Sequence, residues 1–196
     1  MACRGARKDL IRRANLLPWL AMLFLTLTLL LTSTATHAGF RLRPVTSGMK
    51  NEIGLGLSYG IKLDKDALFW GYAPDYVRVL SEKFLLNLSL AYDEETETKD
   101  GSESVTETWT PSVMIGYQLS SVVAIGGGFG HGIIDNKNGA GWKSVKFGDD
   151  ASVAVAGAAS LWSKGRHGLS LSLSLEYNIS DSQASVSTDL GYALGF

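Results

Sequence analysis

The last twelve residues, Ser185 to Phe196 (SVSTDLGYALGF), constrain this chain more than any other stretch. Val186, Leu190, Tyr192, Leu194 and Phe196 fall on one parity, with Thr188 among them. Ser185, Ser187, Asp189, Gly191, Ala193 and Gly195 fall on the other. Successive side chains of a strand point to opposite faces, so the segment reads as a strand with one apolar face and one small, polar face.

The same period of two recurs upstream. Ile53, Leu55, Leu57, Tyr59, Ile61 and Leu63 alternate with Glu52, Gly54, Gly56, Ser58, Gly60 and Lys62, and Leu169 to Ile179 alternate with Ser170 to Asn178. Further strands are expected over 68–80 (irregular at Pro74), 84–93, 108–119, 123–133 and 151–162. A soluble sandwich also alternates, but its outer face is richly charged and its strands are about five or six residues long. Here the polar face is mostly Gly, Ser and Ala, and several strands alternate for eleven or more residues. Aromatic residues fall into two bands: Trp70, Tyr72, Tyr92, Trp109 and Tyr177, then Phe84, Tyr117, Trp162, Tyr192 and Phe196. Paired girdles of this kind mark the two interfaces of a membrane-spanning barrel.

The N-terminus has the layout of a secretory signal. Arg4, Arg7, Lys8, Arg12 and Arg13 precede the apolar run Leu16–Leu31, and Thr36-His37-Ala38 offers a cleavage point before Gly39. The run is shorter than the roughly 20 apolar residues that span a bilayer as a helix. The only cysteine, Cys3, lies in this segment, so a mature chain has no disulfide and no cysteine metal site. The whole chain has 18 Lys and Arg against 19 Asp and Glu; residues 1–38 hold five and one of these, leaving a mature balance of −5. That argues against nucleic acid as a partner, which needs a basic face. The mature chain of 158 residues suffices for eight spanning strands with turns.

An apolar strand at the extreme C-terminus with an aromatic last residue resembles the closing strand of bacterial outer-membrane β-barrels, and residues 51–196 resemble the small eight-stranded members of that class. The resemblance implies an all-β, eight-stranded antiparallel transmembrane barrel of up-and-down meander topology in a Gram-negative outer membrane. It also implies that Leu190, Tyr192, Leu194 and Phe196 form the signal read by the barrel-assembly machinery. Lipid and lipopolysaccharide would surround the barrel. Residues 39–50 read as a periplasmic lead-in. With both termini periplasmic, the turns at 81–83, 120–121 and 163–167 face inward to the periplasm. The loops at 64–67, 94–107, 134–150 and 180–184 then face outward.

The role expected first is that of a non-enzymatic, narrow channel-like or structural barrel for small solutes or ions, with an interaction barrel as the alternative and lipid A modification last. Its small inward residues leave the interior either wet or flattened, and a wet interior would make a narrow channel. The inward charges expected are Glu52, Lys62, Arg78, Asp93, Glu176 and Asp189, with Arg78 beside Glu52 and with Glu176 and Asp189 on adjoining strands. Alternatively, the acidic 94–107 and the 134–150 loops bind a partner. The third role, lipid A modification, needs a rim His beside Ser. His131 is expected on the lipid-facing parity and has Ile133 where the deacylase pattern has Ser, while His167 is expected in a turn. No catalytic residue, cofactor or metal is expected.

Overall fold

The structure, a computed structural model, describes residues 40–45, 49–63 and 67–196. The expected signal segment, 1–38, and the expected loop residues 64–66 lie outside the described residues. Ten strands follow in chain order: β1 (Asn51–Lys62), β2 (Ala67–Val79), β3 (Phe84–Lys99), β4 (Ser102–Ser120), β5 (Val123–His131), β6 (Ile134–Lys137), β7 (Lys143–Ser144), β8 (Ala151–Lys164), β9 (His167–Asn178) and β10 (Gln183–Gly195). Eight of them close an antiparallel ring, β1-β2-β3-β4-β5-β8-β9-β10, and β10 returns to β1 from Glu52↔Gly195 to Lys62↔Ser185. Closure pairs the eight ring strands on both sides, the condition for strands to cross lipid.

The apolar parity faces outward. On β1, Ile53, Leu55, Leu57 and Tyr59 are 49–60% exposed, while the alternating Glu52, Ser58 and Lys62 are at most 5% exposed. A continuous apolar exterior of this kind belongs against hydrocarbon, not water. Ring contacts gather Trp70, Tyr72, Tyr92 and Trp109 into one aromatic cluster, joined by Trp142. Phe84 and Tyr117 meet at the opposite end, 5.3 Å between centroids.

Two expected loops are instead built of strands. The β3–β4 ladder continues past the aromatic cluster to Lys99↔Ser102, so 94–107 is a hairpin extension. Asp100 and Gly101 turn it with φ of 52° and 77°, the left-handed pair that an Asp-Gly hairpin turn requires. Above Tyr92↔Trp109 the hairpin extends seven more residue pairs, about 23 Å at a strand's rise. β6 adds to β4 over Thr106–Trp109, β7 pairs with β6, and Asn138 caps the edge through its Oδ1 to the Val105 amide at 3.0 Å. The result is an ordered blade beyond the barrel wall.

Pro74 lacks an N–H, and the β2–β3 ladder skips it between Tyr72↔Tyr92 and Asp75↔Ser89. Alternation nevertheless runs through unbroken: Ala67, Phe69, Ala73, Asp75 and Val77 are buried, whereas Leu68, Trp70, Pro74 and Arg78 are exposed. The inward placement expected for Arg78 is therefore corrected. It points out near the rim, opposite Asn51, where a long cationic side chain reaches the interface.

The β4–β5 wall depends on glycine. A Cβ at Gly128 would run into the Val113 carbonyl oxygen and Met114. Gly128→Val is expected to destabilise the folded barrel by about 1–3 kcal/mol through overpacking, read from its urea midpoint in detergent. Gly157→Val, with open space around its Cβ, should shift the midpoint little.

Candidate functional site: a plugged, charged lumen

The lumen holds part of the chain itself. It is filled by the segment expected to be a periplasmic lead-in: Phe40, Arg41, Leu42, Arg43 and Val45 are all buried, Phe40 to 1% exposure. The segment threads the ring with alternate side chains on opposite sides. Phe40 lies against Gly130, and Leu42 against Gly116 and Leu85; both join Met114, Ala124, Ala154 and Ala156 in one apolar cluster. Arg41 lies over Gly56, and Arg43 over Gly54. The small inward face thus makes room for four large plug side chains. Gln118 Nε2 donates to the Val45 carbonyl at 2.9 Å and ties down the base of the plug.

The plug brings two cations to a wall whose inward charges are mostly carboxylates. Arg43 meets Asp75 at 3.0 Å and Glu52 at 3.9 Å, and Arg41 meets Asp189 at 3.4 Å. Ser172 Oγ also donates to Asp189 at 3.2 Å. Lys62 pairs with Glu95 across the ring's far end. Charges in a low-dielectric interior must be paired in this way. Two small cavities of ≈ 10 Å³ each lie beside Arg41 and Arg43, each about the room a single water needs.

The expected lumen charges now have places. Glu52, Lys62, Asp93, Glu176 and Asp189 are buried. The expected Glu52–Arg78 neighbour pair is replaced by Glu52–Arg43. Glu176 and Asp189 do not form a couple: in the β9–β10 register Glu176 faces Ser185 and Asp189 faces Ser172. Glu176 instead feels Asp93 and Asp150, and accepts hydrogen bonds from Ser152 and Ser185. Asp75, Arg41 and Arg43 were missed by sequence reasoning. The signal for the arginines was the Phe40-Arg41-Leu42-Arg43 alternation, period two in a segment too short to span the barrel wall. Leu190, Tyr192, Leu194 and Phe196 all lie exposed on or just beyond β10.

His131 is not on the lipid face. It is buried under the Phe147 ring, with Nδ1 2.9 Å from the Asp150 carbonyl oxygen. His167 begins β9 and meets the Tyr192 hydroxyl. Among the described residues, no group of three or more His, Cys, Asp or Glu is arranged to hold a metal ion.

The closed ladder and apolar exterior define an eight-stranded transmembrane β-barrel. Solved structures of similar shape include Ail, the attachment invasion locus protein of Yersinia pestis, at 16% identity and TM-score 0.49, covering 76% of this chain and 99% of that one. OprG of Pseudomonas aeruginosa is similar at 8% identity and TM-score 0.44, covering 75% and 94%. A designed transmembrane β-barrel is similar at 7% identity and TM-score 0.42, covering 78% and 100%. The chain matches no protein-family model and no curated protein.

Proposed function

We propose that this chain is a closed, non-enzymatic barrel of the bacterial outer membrane that acts through its acidic blade, an interaction role in preference to a channel. The filled lumen carries this reading, because Phe40 to Val45 occupy the path a solute would take. The leader layout and the lipid-facing exterior support the location. The start of β1 and the end of β10 share one end of the ring, and the blade rises from the other. Both termini then face the periplasm, and the blade faces out. Leu190, Tyr192, Leu194 and Phe196 remain the segment through which the barrel-assembly machinery would take up the chain. Among the described residues His131 meets the Asp150 carbonyl and His167 the Tyr192 hydroxyl, neither of them a serine, which supports a non-enzymatic role.

Segment 94–107 carries six carboxylates against Lys99 alone; Glu95 is buried against Lys62, and the strand pairing holds the other five on a fixed surface. Glu107 is positioned twice, accepting from Tyr92 Oη at 3.0 Å and from Asn136 Nδ2 at 2.7 Å. Such a surface suits a basic partner. In nanodiscs at physiological salt, the barrel is expected to bind a polylysine surface. A chain with 94–107 replaced by an Asn-Gly turn should fold but bind at least about tenfold more weakly. Equal binding by the two chains would refute the reading.

A further inference from the structure

The apolar exterior is recessed at Pro74. Ile53, Leu55, Pro74, Leu88, Leu90 and Tyr192, from β1, β2, β3 and β10, line an open groove of ≈ 740 Å³. Pro74 stands opposite Leu55 in the β1–β2 register, and its ring folds back onto its own backbone nitrogen instead of reaching outward. The β2–β3 ladder is open at the same place, between Tyr72↔Tyr92 and Asp75↔Ser89. The outer surface therefore drops at Pro74, while Leu55, Leu88 and Leu90 stand 39–51% exposed around it. On a wall that meets hydrocarbon, such a recess is filled by apolar chain rather than by water.

The rim beside the groove is basic. Arg78 is exposed and lies four residues beyond Pro74 on β2, about 13 Å along the strand. It pairs in register with Leu86, two residues from Phe84, whose contact with Tyr117 marks the level of the lipid headgroups. Arg78 faces Asn51 on β1, and the Val79 amide donates to the Lys50 carbonyl at 2.9 Å, so exposed Lys50 stands next to it. Tyr76 Oη donates to Asn51 Oδ1 at 2.7 Å, which leaves the Asn51 amide nitrogen as a further donor there. From β1 to the start of β3, the exposed charges of this rim are Lys50, Arg78 and Lys83 against Glu82. Ion pairs among the described residues are all buried in the lumen, so none of them engages Arg78 or Lys50.

We propose that this wall is a binding site for one anionic glycerophospholipid, with an acyl chain along Pro74 and the phosphate taken by Arg78 and Lys50. An apolar slot within the hydrocarbon, leading to cations at headgroup level, matches a molecule that is itself apolar at one end and anionic at the other. A guanidinium receives two phosphate oxygens at once, and basic side chains at a membrane surface favour anionic over zwitterionic headgroups. A second barrel would fill the groove without supplying the anion. The site rests on the membrane location and is independent of the blade's role.

Native mass spectrometry of the barrel released from nanodiscs tests this, with phosphatidylglycerol and phosphatidylcholine of matched chains in equal amounts. The barrel is expected to retain one phosphatidylglycerol at least about fivefold more often than phosphatidylcholine. Arg78→Gln should abolish that preference. Leu90→Trp fills the groove from its edge with the arginine in place, and should lower retention of both lipids. Lys164→Gln, on the β8 part of the rim, should leave retention unchanged. Inorganic phosphate, which offers the charge without the chain, should not release the lipid. Equal retention of the two lipids overturns the proposal, as does a loss with Lys164→Gln equal to that with Arg78→Gln. Retention untouched by Leu90→Trp, release by phosphate, or paired barrels in place of bound lipid would overturn it too.

Discussion

Deleting residues 39–45 from the mature chain is expected to turn a silent barrel into one that conducts in discrete steps. The deletion removes Phe40, Arg41, Leu42 and Arg43 from a lumen whose facing walls are Gly54, Gly56, Gly116, Gly130 and the alanines of β8. Eight-stranded barrels are just wide enough for side chains to fill them. Here the plug supplies that filling, so its loss opens a path the wall cannot close by itself. The exposed wall would be lined by Glu52, Asp75, Asp93, Glu176 and Asp189 without their arginines, and the current should favour cations. Glu176→Gln and Asp189→Asn in the deleted chain should reduce that preference. Planar bilayers give the measurement: equal conductance from the intact and deleted chains would sink the closed-barrel reading.

Arg43→Ala should destabilise the barrel by about 3–5 kcal/mol, the cost of leaving a buried ion pair half-made. Arg43 is about 5% exposed and meets both Asp75 and Glu52, so its removal takes the guanidinium from two carboxylates. Asp75→Asn in the same chain should recover part of the loss. Arg78→Ala is the control: its side chain is outside the lumen, and surface substitutions usually stay within about 0.5 kcal/mol. Urea midpoints of the refolded variants in detergent decide between them. Equal shifts for Arg43→Ala and Arg78→Ala would mean that the lumen pairing does not hold the plug.

The blade and β2 show why sequence reading fell short in two places. In 94–107 the strand period is present, but polar residues occupy both parities, so hydrophobic alternation has nothing to report. Only Asp100-Gly101 signalled the hairpin. In β2, Pro74 suggested a break in parity that the chain does not make. A proline removes one ladder hydrogen bond without adding a residue, so Asp75 stays inside and Arg78 outside.

What the sequence determined by itself was the wall. A period of two, sustained over whole strands with leucine and aromatics on one parity and Gly, Ser and Ala on the other, is a local property of each segment. It specifies both strand and face before any partner is chosen. What only the tertiary structure decided was the content of the lumen. Whether a face of small residues encloses water, meets the opposite wall or receives another part of the chain depends on what lies across the ring, many residues away in sequence. Phe40 finding Gly130, and Arg43 finding Asp75, exist only once β10 has closed on β1.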